Sequence, residues 1–407
     1  MKMNTEGVLF GIFLGALAAL PPIATDMALP ALTQIGHDLH TAPAMAGLTL
    51  SLFMAGFAIS PFFYGPLSDR YGRKPLLFIG LLLFTVGGVA SVLASDIRLL
   101  LTARLLQGLG AGAGMTLAMA MVRDLFDGQK AQSRLALITV VANIAPIVAP
   151  ALGAALLAFT GWRGIYAAIA FSGVLLLLLE RAGLRETAHL PPGPKPPFVG
   201  KLLQDYQLAL SHGPTMAHIL LNALGFGWLF AYVAASPVIF IEQLQVSPAF
   251  YTLIFACTGG GIVAGATLSG RLGHKGVSPR WLLLGAVLVA LMASALLTGL
   301  SLLGKVSVAS VVPLLVVCTA AFGMVAPCAA HGALQPLPKQ AGVTGGLLTS
   351  VQMFAGALAS SVVAFLLPVY GSLGLTATML VFALLALLVV LLIIRQPAHQ
   401  PRVNAAG

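Results

Sequence analysis

Twelve stretches of this 407-residue chain are each long and apolar enough to cross a bilayer, which limits the possible folds more than any motif does. A hydrocarbon core needs about 20 apolar residues per helix. The runs fall near 8–30, 44–65, 76–95, 99–121, 135–158, 163–180, 215–241, 249–270, 281–301, 308–334, 343–367 and 372–394. In lipid every backbone polar group must be satisfied internally, so only helices or closed barrels span, and unbroken runs of this length specify helices. Composition agrees: the hydrophobic share is 59% and the charged share 8%, with a mean hydropathy of +0.99. A soluble domain carries roughly a quarter charged residues, because its surface faces water. Lys2 precedes the first run, as in a signal peptide, but the run is too long for an h-region and eleven more spans follow, so it is expected to be retained.

The chain has 21 Lys and Arg against 11 Asp and Glu, a net charge of +10. In a soluble protein that balance would suggest nucleic acid; here the charges sit in short loops and report orientation. With the N-terminus placed in the cytoplasm, seventeen basic residues fall on that side. Only Arg98, Arg163 and Lys305 fall on the other, and Arg104 lies within a span. Both termini are therefore expected in the cytoplasm, with no nucleic-acid partner. Cys257, Cys318 and Cys328 form no spacing motif and read as small apolar residues.

The longest polar stretch splits the spans six and six, dividing the chain into a bundle at 1–180, a cytoplasmic linker at 181–214 and a second bundle at 215–407. Its proline-rich centre, PPGPKPPF (191–198), reads as a semi-rigid spacer. After it, Phe198, Leu202, Leu203, Tyr206 and Leu210 share one helical face, which suggests a short helix on the inner membrane surface; a plain linker is the alternative. SDRYGRK (68–74) follows the second span and SGRLGHK (269–275) the eighth, equivalent loops that argue for an internal duplication. Transporters built from two such halves bind substrate between them, near the midplane.

Asp26 is the one acid clearly within a span and Arg104 the one base. Either costs about 2.5–3.5 kcal/mol to insert, so its default reading is functional, with a structural ion pair as the alternative. Residue counting puts both about 6–8 Å below the outer boundary, at depths that let them meet if their helices are neighbours. Prolines surround Asp26: Pro30 removes the usual partner of its carbonyl, and Pro21 and Pro22 free the carbonyls of Leu17 and Ala18. That setting suits a group that takes up and releases a proton. Span five carries Pro146 and Pro150 one turn apart, then Gly153, a pattern for a kinked helix with a close neighbour. GLGAGAG (108–114) follows no strand and lacks the GK[ST] of a nucleotide loop, so it reads as helix packing. By position, Phe53, Phe57, Asn143, Asn222, Phe226, Trp228, Tyr232 and Gln352 are candidates for a cavity lining. His331 in span ten reads as a hydrogen-bonded packing residue that could titrate.

GPLSDRYGRKP (65–75) places Asp69, Arg70, Arg73 and Lys74 between Gly65, Gly72 and two prolines. Here the chain resembles the major facilitator superfamily, whose signature loop between spans two and three reads this way. LTARLLQGLGAG (101–112), the two-proline run of span five, TDMALPAL (25–32), VRDLF (122–126) and GWRGIY (161–166) make it similar to the Bcr/CflA drug-efflux group. The resemblance covers essentially the whole chain. It implies an all-α fold of twelve transmembrane helices in two pseudo-symmetric bundles, in a bacterial inner membrane. It further implies export of drugs or other small amphipathic compounds against proton entry by alternating access. Asp26 and Arg104 would act in coupling or substrate binding. Gly65, Asp69, Arg70, Gly72, Arg73, Arg123, Pro146, Pro150 and Gly153 would act in conformational switching. Two departures stand out: Leu14 and Ala18 occupy the face where some multidrug relatives carry a second acid, which points away from cations, and Gly270 stands where the first loop has Asp69. Export of a sugar- or purine-type metabolite is the alternative. A membrane-embedded enzyme is disfavoured because the spans hold no clustered metal set or Ser–His pair. The partners expected are a small-molecule substrate, protons and the bilayer; no cofactor is expected, and the chain is read as working as a monomer.

Overall fold

The computed structural model describes residues 7–188, 198–337 and 340–395. The proline-rich centre of the linker, most of it within 189–197, lies outside the described residues, apart from the backbone of Phe198. Among the described residues the chain is helical, with no strand. Helix α1 (Val8–Asp26) ends where proline chemistry predicts: a 3₁₀ turn at Leu29–Ala31 contains Pro30, and short α2 (Leu32–Asp38) follows. The chain continues through α3 (Pro43–Tyr71), α4 (Arg73–Val92), α5 (Ile97–Leu125), α6 (Gly128–Gly183), α7 (Phe198–Ser211) and α8 (Gly213–Pro237). A π-helical turn (Val238–Gln243) extends α8. Then come α9 (Pro248–His274), α10 (Pro279–Leu302), α11 (Val308–Leu334), α12 (Ala341–Tyr370) and α13 (Ser372–Arg395).

Eleven of these elements are long and apolar enough to cross a membrane. Straight, the 56 residues of α6 would reach about 84 Å, far beyond a bilayer. The helix breaks at Gly161, where φ 67° and ψ −175° leave the helical region. Its arms, 128–160 and 162–183, stand for the fifth and sixth expected spans, giving twelve crossings. Large apolar side chains such as Met292, Leu296, Leu388 and Phe365 stand exposed on the outside, the surface that lipid solvates.

Helices α1 and α3–α6 pack among themselves, as do α8–α13; the groups meet along α3 with α12 and α6 with α9. Small residues set the spacing. A Cβ on Gly56 would strike the Leu105 carbonyl, and one on Gly108 the Phe53 carbonyl, so α3 and α5 touch backbone to backbone. Gly265 against Ala320 and Gly323 against Ile262 repeat this device between α9 and α11. The broken stretch of α1 is covered likewise. Gly114 of α5 sits on the Leu17 carbonyl that Pro21 frees, and Gly153 of α6 sits on the Met27 carbonyl.

Residues 198–211 do form a helix, but its buried stripe differs from the expected one. Leu202 and Tyr206 face the protein together with Ala209, which packs with Ile219, Ala333 and Leu347. Leu203 and Leu210 are exposed, and the Phe198 side chain lies outside the described residues. The shift has a plain cause: α7 is held by the protein, where Tyr206 meets the Phe62 ring of α3 at 5.6 Å and Asp205 accepts from Gln340 at 3.4 Å. Burial there pushes the Tyr206 hydroxyl up to about 12.

Candidate functional site

Asp26 and Arg104 are both buried in the first half, and their helices α1 and α5 are neighbours. No ion pair joins them among the described residues. The Arg104 guanidinium instead donates to the Ala24 carbonyl at 2.9 Å, two residues before Asp26, and to Gln107 Oε1 at 2.5 Å. It lies over the Phe53 ring at 4.5 Å and the Tyr166 ring at 5.4 Å. Two aromatic faces and a backbone carbonyl thus hold a buried cation without a carboxylate. Among the described residues, Arg104 Nε and Gln107 Nε2 there have no hydrogen-bond partner.

Asp26 closes the last turn of α1. Its neighbour Thr25 donates to the carbonyls of Pro21 and Pro22, both at 3.1 Å. Tyr251 of α9, in the other half, is also buried. Tyr251 in turn meets Ser236 at 2.9 Å. The arginine's partners all belong to its own bundle.

The proposed cavity residues divide between the bundles. Phe53 and Phe57 are buried between α3 and α5, Phe53 beneath Arg104 and Phe57 against Gly112. Trp228 donates to the Cys318 carbonyl at 3.2 Å, and Tyr232 meets Thr258 at 3.0 Å; both are spent inside the second bundle. Phe226 stacks on Phe230 at 4.3 Å, and Met54 of α3 approaches it across Gly356. Asn222 donates to Gln352 at 2.8 Å, an amide pair between α8 and α12. The Asn143 backbone is helical, and its side chain lies outside the described residues. His331 is exposed near the end of α11, which departs from its reading as a packing residue.

At the basic end, the 65–75 loop forms a network. Arg73 pairs with Asp69 at 2.5 Å and with Asp124 of α5 at 2.8 Å, and donates to Ser68 at 2.6 Å. Glu186, which no sequence pattern singled out, accepts from the backbone N–H of Arg73 at 2.7 Å and of Lys74 at 3.2 Å. It satisfies two orphan donors of α4 and complements the helix dipole. Lys74 reaches the Leu184 carbonyl at 2.7 Å, so the chain just after α6 is strapped to this loop. Gly72 makes the turn possible. Its φ of 102° suits glycine, and a Cβ there would strike Glu186. Arg70 lies against the Tyr71 ring at 5.9 Å, Gly65 faces Thr116, and Arg123 is exposed near the end of α5. Pro146 and Pro150 sit within the first arm of α6, where Ile147 touches Gly259 of α9 across the seam.

The equivalent second-half loop has no such network among the described residues. A Cβ on Gly270 would meet nothing within 4 Å, and the turn comes later, at Gly276, whose φ is 82°.

The Major Facilitator Superfamily model matches residues 12–360. An MFS-type transporter of Bacillus subtilis, YdgK, is 31% identical over 88% of this chain and 89% of its own. A bicyclomycin resistance protein homolog of Haemophilus influenzae is 28% identical over 89% of this chain and 91% of its own. The crystal structure of a bacterial homolog of the human lysosomal transporter Spinster, inward-facing and unoccupied, superposes with a TM-score of 0.74. It covers 95% of this chain and 96% of its own at 16% identity, a likeness of fold alone.

Proposed function

The chain belongs to the major facilitator superfamily; from that premise we propose that it exports drugs or other small amphipathic compounds against proton entry, by alternating access between its halves. It is a membrane transporter and not an enzyme. The observation that carries the reading is the placement of Asp26. It is a buried acid at the break in α1, on the same helix whose Ala24 carbonyl Arg104 holds. A carboxylate there changes protonation as the halves part and rejoin. Arg104, anchored on the Ala24 carbonyl, holds the backbone that presents it. The relative named as a bicyclomycin resistance protein homolog supports drugs as the cargo.

In this reading the bundles at 1–180 and 215–407 rock about the seam, with 181–214 joining them on the cytoplasmic side. The bacterial inner membrane is the setting, both termini face the cytoplasm, and one copy suffices. Asp69, Arg73 and Asp124 latch the cytoplasmic end of the first bundle, and Gly65, Arg70, Gly72 and Arg123 shape the surrounding loop. Pro146, Pro150 and Gly153 keep the α6 arm close to α1. A second reading, export of a sugar- or purine-type metabolite, draws on the Asn222–Gln352 pair, which suits hydroxyls or ring nitrogens. Growth of an expressing strain across a drug panel, with its medium assayed for secreted metabolites, separates them. Protection against phenicol- or bicyclomycin-type compounds supports the first; metabolite secretion without protection replaces it with the second.

A further inference from the structure

At the end opposite the Arg73 loop, a crevice of about 170 Å³ opens between the halves. Leu32, Gly36 and Gly47 form one wall; Ala234, Val238 and Leu367 form much of the other. Below it, Ser51 of α3 and Ser360 of α12 hydrogen-bond across the seam at 2.9 Å. Asp26 lies on α1 before this stretch, so the crevice occupies the outer end of the path past it. A cavity of about 150 Å³ admits a benzene-sized group, so this one takes a ring or a branched apolar head.

One charge sets its character. Among the described lining residues Glu242 is the only carboxylate, and no Lys or Arg is present. His37 also lines the crevice, within 3.5 Å of Asp38, which is committed to the Trp162 indole at 3.0 Å. Glu242 is placed there by the π turn. Ala234, Val238 and Glu242 recur every four residues, and the wider winding at Val238–Gln243 offsets the drift such a spacing has in an α-helix. Apolar walls with one fixed negative charge are complementary to an amphipathic cation.

We propose that this crevice is an exit subsite for cationic amphipaths, with Glu242 as the counter-charge. The subsite rests on the exporter reading for its place on the route, though its binding is measurable alone. It gives the chain a means of handling cations at a position separate from Leu14 and Ala18, where the first helix offers no second acid.

The test is equilibrium binding to purified full-length protein. The probes are tetraphenylphosphonium and, as a neutral relative of similar shape, triphenylphosphine oxide. Glu242→Gln is expected to weaken the phosphonium about fivefold, which is about 1 kcal/mol for one partly shielded charge pair, and to leave the oxide within about twofold. Glu242→Asp should restore most of the affinity. Thr33→Trp, which fills the crevice from α2, should weaken both probes. Phosphonium binding that is absent in the wild type, or unchanged in Glu242→Gln, overturns the proposal. Efflux of a neutral phenicol, measured in the same variants, separates the two readings. If neutral efflux persists without phosphonium binding, only the subsite fails. If phosphonium binding depends on Glu242 but no compound is exported, the subsite stands and the exporter reading falls.

Discussion

Gly56 and Gly108 let α3 and α5 touch backbone to backbone, and Gly265 and Gly323 do the same for α9 and α11. Beside the first contact the chain buries Arg104 under Phe53; beside the second lie neutral partners, Tyr232 with Thr258 and Trp228 with a carbonyl. The loops diverge in the same sense. Residues 68–74 carry an arginine held by two aspartates, whereas a side chain at Gly270 in 269–275 would meet no neighbour. Duplicated packing with unduplicated charge teaches that helix spacing and chemistry are separable: small residues fix the first, and a few ionisable groups on one bundle carry the second. In an apolar medium each such group is costly, which keeps them few.

The largest expected effect comes from removing the unduplicated acid. Asp26→Asn in proteoliposomes should insert and bind substrate yet fail to accumulate it against a gradient, so the internal-to-external ratio settles at unity. Arg104→Ala comes next. It strips donors from Gln107 and from the Ala24 carbonyl, at about 1–3 kcal/mol for each buried acceptor left unpaired, and should impair both thermal stability in detergent and coupled export. Arg104→Lys should recover part of the loss, since a point charge cannot serve two acceptors while lying flat between two rings. The loops then give a matched pair. Gly72→Ala and Gly276→Ala each force a side chain into a positive φ, about 1–3 kcal/mol of strain. Only Gly72→Ala also displaces Glu186 from α4, so only it should slow transport beyond its effect on stability. The smallest effect is expected from Asn222→Ala, which removes one amide hydrogen bond of about 1 kcal/mol and should change substrate affinity a few-fold with coupling intact.

The spans were legible because about 20 residues of unbroken apolarity have one solution in lipid. The break near Asp26 was legible because proline lacks a donor. The partner of Arg104 was not. Counting residues matches depth along a helix but says nothing of azimuth, and the guanidinium turned to the Ala24 carbonyl, Gln107 and two rings. Trp228 and Tyr232 were placed in a cavity by sequence position, yet their polar atoms bond within their own bundle. Glu186 escaped notice because an acid after a basic helix end looks solvated; its task depends on α4 starting 113 residues earlier. The buried stripe of α7 moved from Leu203 and Leu210 to Ala209 because the protein, rather than the bilayer, receives it.

The central claim is that Asp26 exchanges its proton for substrate. The direct test is substrate affinity of purified wild type and Asp26→Asn, titrated across neutral pH. If binding releases one proton, wild-type affinity should fall as pH falls, approaching about tenfold per pH unit once the carboxyl is protonated, and Asp26→Asn should give a flat profile. A variant whose affinity keeps the wild-type pH dependence would place the exchanged proton on another group and contradict the account.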